Sequence, residues 1–154
     1  MSAQLTAGLP DDDFLSDGLL TKRVLRASAL AALAPVGNEL LWDLGAGTGS
    51  IGIEWCRLSD DNRAVAVERN AERLERIGAN AARHDVADRL SIVPGDTTEV
   101  LERLPRPDAV FVGAHHLARF VFVSSRSVNS LIWALLFVAI FGPGPLAGTL
   151  AIAF

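Results

Sequence analysis

The sequence lacks three features that would each point to a particular class of protein. Its one cysteine, Cys56, excludes a disulfide framework within the chain and is typical of a reducing compartment. The formal charge of -4 and the pI near 5.3 give no positive field for nucleic acid, and Lys and Arg form no basic run. A secretory signal pattern is also missing, because acidic residues 11–13 fall where its apolar core would lie. We therefore expect a cytoplasmic protein without a nucleic-acid partner.

Acidic residues are confined to the first part of the chain. The last of them is Asp108, and beyond it the formal charges are Arg119 and Arg126. With 154 residues, half of them apolar, the chain is long enough for one domain with a core. The composition thus separates a mixed segment, residues 1–114, from an atypical apolar tail, residues 115–154.

Segments of helical periodicity alternate with short apolar runs as far as residue 112. Residues 1–20 are expected to be an irregular lead-in with a solvated acidic cluster. The first helix is predicted to begin at an N-cap, Thr21, and to end near Leu33, with apolar residues at helical spacing: Leu20, Val24, Ala27 and Ala31. The predicted order then continues as strand 40–44, helix 50–57, strand 64–68, helix 71–83, strand 90–93, helix 98–104 and strand 109–112. Such alternation requires crossover connections, so we expect an α/β fold with a mostly parallel sheet.

A glycine loop follows the first predicted strand. Its residues are Gly45, Ala46, Gly47, Thr48 and Gly49, and this G-x-G-x-G spacing differs from the G-x-G-x-x-G of dinucleotide binders. Glycines allow the backbone to turn sharply and to approach a ligand closely. The preceding strand carries Asp43, an acid suited to the cationic end of a sulfonium amino acid.

Two further acids end the next strands. Glu68 lies about 20 residues beyond the glycine loop, the separation at which an acid meets ribose hydroxyls in nucleotide-binding folds. Asp96, followed by Thr97, could accept the adenine amino group. Each feature alone has a structural explanation, since glycines form tight turns and acids cap helices, and Asp96 could cap the helix near Thr98. Their occurrence at consecutive strand ends favours a ligand site.

The sequence resembles a known family in four segments. They are Gly8-Leu9-Pro10-Asp11; Asp17-Gly18-Leu19-Leu20-Thr21-Lys22-Arg23; Leu41 to Ile51 with Ile53-Glu54; and Pro107 to Gly113. These segments are similar to the C15-methylating domain of the decarboxylating precorrin-6Y methyltransferases of cobalamin biosynthesis, over about residues 8–113. The resemblance implies a Rossmann-like class I S-adenosylmethionine-dependent methyltransferase fold, incomplete after the fourth strand.

The resemblance also implies a reaction and a site. The reaction is methyl transfer from S-adenosylmethionine to C15 of a precorrin, a tetrapyrrole, with loss of carbon dioxide from the ring-C acetate. By analogy Thr21, the loop Gly45 to Gly49, Glu68 and the Asp96-Thr97 turn contact the cofactor, whereas Thr21, Lys22 and Gly113 lie towards the substrate. Family members pair this domain with a separate C5-methylating domain and form homo-oligomers.

Alignment of the two reactants is the main chemical demand, so no nucleophilic side chain is required and no catalytic residue is assigned. A substrate with many carboxylates needs local positive charge, for which Lys22, Arg23 and Arg26 are candidates. At least two of them are expected instead to form a solvated face of the first helix. We interpret His84 as an exposed helix end. No metal site is expected, although His115 and His116 form an adjacent pair.

The tail departs from the family pattern, because strands five to seven cannot be found after His115. One hypothesis is a shifted reading frame or a fusion from about that residue. Another is a membrane-associated segment within 131–154, although residues 131–141 are too few to span a bilayer and glycine-proline pairs interrupt a longer helix. An incomplete sheet would expose an edge and one face, which predicts aggregation.

Three functions remain open at this point. The chain could be an active corrinoid-pathway methyltransferase, a cofactor-binding but inactive remnant, or a methyltransferase for another small molecule or a protein. The glycine loop does not specify the acceptor of the methyl group, and only the lead-in around Thr21 argues against the third function.

Overall fold

The computed structural model describes residues 6–113 and 121–124. Its sheet has five strands in the order β3-β2-β1-β4-β5. The first four strands pair in parallel and β5 pairs with β4 in antiparallel fashion. The strands are β1 (Leu40–Leu44), β2 (Arg63–Glu68), β3 (Leu90–Pro94), β4 (Ala109–Val112) and β5 (Val121–Ser124).

Helices follow the strands as the alternating pattern predicts. They are α1 (Arg23–Leu33), α2 (Ser50–Leu58), α3 (Ala71–Arg83) and α4 (Thr97–Val100), with 3-10 turns at Asp11–Asp13 and Leu101–Arg103. The predicted α/β class is confirmed. The bounds of β1, β4 and α3 agree with the prediction residue for residue, because each is limited by residues that stop it, such as the glycines after β1.

The strands alternate their side chains between two apolar layers. Leu41, Ala64, Ala66 and Phe111 pack with α1, α2 and α3 in the larger cluster. The alternate strand residues form a smaller cluster with Val100 of α4, namely Leu44, Val65 and Val67, with Trp42 and Val110 partly buried against it. This alternation is what a period of two along each strand produces.

The start and the inward face of α1 differ from the prediction. Its N-cap is Lys22, no side chain caps it, and Thr21 therefore lies one position outside. The buried residues are Arg26, Ala29, Leu30 and Leu33, whereas Val24 is 75% exposed. The apolar spacing was misleading because this helix buries a charged residue, Arg26, between acids.

The lead-in is also more ordered than predicted. Its acidic cluster forms a 3-10 turn rather than a solvated coil, and Asp11 accepts from Arg26 at 2.7 Å. Phe14 is buried in the larger cluster, and its ring centroid lies 4.8 Å from that of His84. His84 is consequently buried rather than an exposed helix end, and the desolvation lowers its pKa.

A fifth strand is present, which contradicts the prediction that none follows β4. β5 pairs with β4 from Val112↔Val121 to Ala109↔Ser124. An antiparallel neighbour needs no crossover helix, so the strand-helix rhythm used for the prediction does not reveal it. Strands six and seven, the His115-His116 pair and residues 131–154 lie outside the described residues. Within the described ranges, no helix has the length and apolar character needed to cross a membrane.

Candidate functional site

The carboxyl ends of the four parallel strands meet at one edge of the sheet, where backbone hydrogen bonds join the turns that follow them. The N–H groups of Gly45 and Ala46 donate to the Val67 carbonyl at 2.9 and 3.0 Å. Gly113 donates to the Leu44 carbonyl at 2.9 Å, on the other side of β1. The sequence-predicted turns after β1, β2 and β4 therefore converge in space.

The glycine loop owes its shape to backbone angles that favour glycine. Gly45, Gly47 and Gly49 have φ of 71°, 62° and 75°. A Cβ on Gly45 would lie 3.0 Å from the Gly113 carbonyl oxygen, and one on Gly49 would lie 2.9 Å from Cγ2 of Ile77. The loop is thus packed tightly against β4 on one side and α3 on the other.

Glu68 fastens the loop to the end of β2. Its Oε2 accepts from the Gly47 N–H at 2.9 Å, and its Oε1 accepts from Arg69 and Asn70 at 2.9 and 3.0 Å. The residue is 3% exposed. Three backbone amides therefore fix the orientation of this carboxylate, and the predicted neighbourhood of Glu68 and the glycine loop is present.

Asp43 lies beneath the glycine loop and is buried. It is 1% exposed, and its Oδ2 accepts from the Gly52 N–H in the first turn of α2 at 3.1 Å. Desolvation raises the pKa of this carboxyl to about 7, with a smaller upward contribution from the charge of Glu68. Its direct role is therefore to tie the end of β1 to α2.

Asp96 and Thr97 follow β3 at the same edge. The Asp96 side chain is 46% exposed and lies 4.0 Å from Nη1 of Arg69, which comes directly after Glu68. Its carbonyl accepts from Glu99 in α4 at 3.1 Å, and Thr97 begins that helix. The Asp96 side chain is thus more exposed than Glu68.

The basic residues near α1 divide into an exposed and a buried set. Lys22 and Arg23 are exposed, with Lys22 Nζ 3.7 Å from Asp11. Arg26 is fully buried, and it donates to Glu54 at 2.7 Å and to the Thr21 carbonyl. The prediction of Arg26 as a substrate-facing cation is therefore wrong, because its guanidinium group already donates to carboxylates and to backbone carbonyls.

Glu54 lies in a segment that resembles the family, but no role was predicted for it. Its carboxylate accepts from the Gly8 and Leu9 N–H groups and from Arg26, so it holds the lead-in against α1 and α2. The sequence could have indicated a buried polar contact here, because Glu54 is the sole acid of α2 and has apolar neighbours. A buried acid in such a place requires a partner.

Asn80 is a second residue that was not predicted. Its side-chain N–H groups donate to the carbonyls of Leu15 and Thr48, both at 3.0 Å, and its Oδ1 accepts from the Leu15 N–H at 2.8 Å. Asn80 is fully buried in α3 between apolar neighbours. An amide side chain on the apolar face of a helix is the signal that would have indicated it.

Residues 14–19, here named the strap, lie along α3 beside the glycine loop. Asp17 pairs with Arg73 at 2.8 Å and with Arg76 at 3.3 Å. Hydrogen bonding from Arg73 lowers the pKa of the Asp17 carboxyl. The Leu19 carbonyl oxygen lies 3.9 Å from the position that a Cβ on Gly47 would occupy. The strap therefore borders the loop that carries Gly47.

Among residues 6–113 and 121–124, no group of three or more His, Cys, Asp or Glu side chains could hold an ion.

The chain is similar to several known methyltransferases. A curated precorrin-6Y C(5,15)-methyltransferase (decarboxylating) from Sinorhizobium sp. is 48% identical over 109 residues, which are 71% of this chain and 26% of that protein. The solved C-terminal domain of precorrin-6Y C5,15-methyltransferase from Rhodobacter capsulatus is 40% identical with a TM-score of 0.69, covering 75% of this chain and 61% of that domain. An RNA methyltransferase from Salinibacter ruber, solved with S-adenosyl-L-homocysteine, is 28% identical with a TM-score of 0.53, covering 61% and 60%.

The chain thus spans about a quarter of the length of the Sinorhizobium protein and about three fifths of the solved domain. A family model described as the precorrin methyltransferase domain matches residues 12–130. This match continues past His115, and the division of the chain at residue 114 stays a prediction. Because the matched region is more than half of the sequence, the chain belongs to the precorrin methyltransferase domain family.

Proposed function

We propose that the crevice at the carboxyl ends of β1, β2 and β3 binds S-adenosylmethionine and that the chain methylates C15 of a precorrin. Loss of carbon dioxide from the ring-C acetate accompanies the transfer. The observation that carries the proposal is the contact between Gly47 and Glu68, which joins the glycine loop to an acid at the end of the next parallel strand. Ligands of doubly wound sheets bind at this edge.

The residues present suit an adenosyl ligand. Glu68 is fixed by three backbone amides before any ligand arrives, so ordering it adds no cost on binding. Asp96 offers an exposed carboxylate beyond it, at the end predicted for adenine. The Salinibacter relative, which shares the fold, was solved with S-adenosyl-L-homocysteine.

We assign Asp43 an indirect role in this site. It is buried and bound to Gly52, so it holds the first turn of α2 beneath the glycine loop. Gly45, Ala46, Thr48 and Gly49 supply the turn itself. Thr21 and Thr97 border the crevice from the lead-in and from α4.

The bound cofactor supplies an electrophilic methyl group on sulfur. The protein has to bind the two reactants, align them and exclude water, which together contribute most of the acceleration expected for such a transfer. Lys22 and Arg23, exposed at the start of α1, provide the positive charge for the substrate carboxylates. Gly113 has no side chain, which permits its close approach to Gly45. Arg26 holds the backbone of this region rather than the substrate.

The partners follow from the relatives. The Sinorhizobium protein is named for methylation at both C5 and C15, and the Rhodobacter structure is a C-terminal domain. We therefore propose that this chain works with a separate C5-methylating domain, in the cytoplasm.

Titration calorimetry with S-adenosylhomocysteine tests the cofactor site. Glu68→Gln removes the charge but keeps the shape, and the affinity is expected to fall about tenfold because a charged acceptor in a buried site is lost. The matched control is Glu39→Gln, since Glu39 accepts from the Val36 N–H at the opposite end of β1. Absence of binding to the folded wild-type chain, or equal affinities for the two variants, would contradict the proposal.

Mass spectrometry of the tetrapyrrole tests the reaction. Incubation with S-adenosylmethionine should yield a product that has gained one methyl group and lost carbon dioxide. Cofactor binding without this product would identify the chain as an inactive remnant, and methylation of a different acceptor would assign it to another substrate class.

A further inference from the structure

The strap and the glycine loop are held by the same side chain. Asn80 in α3 exchanges two hydrogen bonds with the backbone of Leu15 and donates a third to the carbonyl of Thr48. These partners are 65 and 32 residues away in the sequence. One buried amide thus links the lead-in to the loop of the proposed cofactor site.

We propose that Asn80 is a positioning residue for cofactor binding, which couples the strap to the glycine loop so that the two form one preorganised wall of the crevice. This inference rests on the proposed function. Asn80 acts through the backbone of Thr48 and Leu15 and does not itself touch the ligand.

The chemistry of the contact requires an amide. An asparagine side chain has two N–H donors and an acceptor oxygen, and all three are used here. Aspartate at this position keeps the acceptor for Leu15 but loses both donations and places negative charge beside two carbonyls. Leucine has a similar volume and leaves three backbone groups without partners, which is costly in a buried position.

The remaining contacts of the strap show why its position matters for the loop. On one side Phe14 is anchored in the core, with the guanidinium carbon of Arg26 4.8 Å from its ring centre. On the other side Asp17 is paired with Arg73 and Arg76 on α3. Between these anchors Leu15 is 48% exposed, so its own side chain contributes little to holding the strap. Asn80 therefore supplies the contact that sets the distance from strap to loop.

Asn62 provides a matched control. It is also fully buried, its Nδ2 donates to the Trp55 carbonyl at 3.2 Å, and its Oδ1 accepts from the Glu39 N–H at 3.3 Å. Glu39 precedes β1 and Trp55 lies in the last turn of α2, so both partners are away from the glycine loop. A substitution at Asn62 therefore reports the general cost of removing a buried amide.

The experiment compares Asn80→Asp with Asn62→Asp by titration with S-adenosylhomocysteine and by chemical denaturation. Both variants are expected to lose stability, but only Asn80→Asp should weaken the affinity, by about tenfold. In that variant the glycine loop has to be ordered when the ligand binds, and this lowers the free energy gained on binding. Equal affinities for two folded variants of similar stability would overturn the proposal.

Hydrogen exchange on the wild-type chain tests the coupling without any substitution. The Leu15 amide, bonded to Asn80, and the Gly49 amide, bonded to the Ala46 carbonyl, should gain protection by the same factor when S-adenosylhomocysteine saturates the site. The Glu39 amide, bonded to Asn62, should not change. Protection of Gly49 without protection of Leu15 would show that strap and loop respond separately.

Failure of the proposed function has a different signature. If the wild-type chain binds no S-adenosylhomocysteine, exchange of the Gly49 amide is compared between the two variants without ligand. Faster exchange in Asn80→Asp than in Asn62→Asp then supports the coupling, and equal exchange contradicts it.

Discussion

The buried carboxyl of Asp43 makes the stability of the fold depend on pH. Its pKa rises from 3.8 to about 7 on folding, chiefly through desolvation, so the folded state binds a proton more tightly than the unfolded state. The contribution of the Asp43 carboxyl to the free energy of unfolding is fully present below pH 3.8 and is lost as the pH rises to about 7. As the pH rises from 3.8 to about 7, the free energy of unfolding of the wild type should therefore fall relative to that of Asp43→Asn. The total change is on the order of 4 kcal/mol.

Urea denaturation at a series of pH values measures this difference. The control is Asp60→Asn, because Asp60 is exposed. A difference between Asp43→Asn and the wild type that stays constant from pH 4 to pH 8 would show that Asp43 keeps an ordinary pKa in the folded chain.

Gly49 is a residue of the loop where an added side chain would meet a close neighbour. Gly49→Ala adds left-handed strain of about 1–2 kcal/mol and a clash with Ile77 of about 1–3 kcal/mol. Gly18→Ala is the control, since Gly18 has φ of 92° and nothing within 4 Å of an added Cβ. We expect the free energy of unfolding to fall clearly further for Gly49→Ala, and similar losses in denaturant titrations would refute the packing argument.

At the level of elements, the ion pair between Arg26 of α1 and Glu54 of α2 joins two helices and the lead-in. Arg26→Met leaves a buried carboxylate unpaired and should lower the free energy of unfolding by about 3–5 kcal/mol. Combining it with Glu54→Gln should cost less than the sum of the single changes, because the second change removes the charge that the first exposed.

Denaturation of the single and double variants provides the coupling energy. Asp88→Asn is the control, since Asp88 pairs with Arg89 at 3.8 Å with its side chain 80% exposed, and it should alter stability by less than about 1 kcal/mol. Additive effects at Arg26 and Glu54 would mean that the pair is not coupled.

The elements differ in how far the sequence predicts them. β1 and α3 were predicted to the residue, since glycines follow β1 and Asn70 caps α3 by accepting from Arg73. The inward face of α1 was predicted wrongly, because the burial of Arg26 depends on acids that lie 15 and 28 residues away. Local pattern thus predicts elements that are bounded locally, and it is misleading where charges are buried by distant partners.

At the level of the whole molecule, the convergence of the site follows from topology. Parallel strands place their carboxyl ends at one edge, so Glu68 and the glycine loop could be placed together from their order in the sequence alone. The contacts of Asn80 with Leu15 and Thr48 could not be predicted from the sequence, since no spacing rule links these residues. The aggregation expected from an incomplete sheet stays a prediction.

The lead-in is an integral part of the fold, and its removal should unfold the molecule. A chain beginning at Lys22 loses Phe14 from the core, leaves Asn80 without Leu15 and deprives Glu54 of two amide donors. Loss of a buried Phe side chain alone costs about 3–5 kcal/mol, a large part of the 5–15 kcal/mol typical of a domain. We expect no cooperative thermal transition by circular dichroism. A chain that begins at Thr6 keeps all the described residues and serves as the control. A cooperative transition of the chain beginning at Lys22, within a few degrees of the full chain, would show instead that the sheet and its helices fold without the strap.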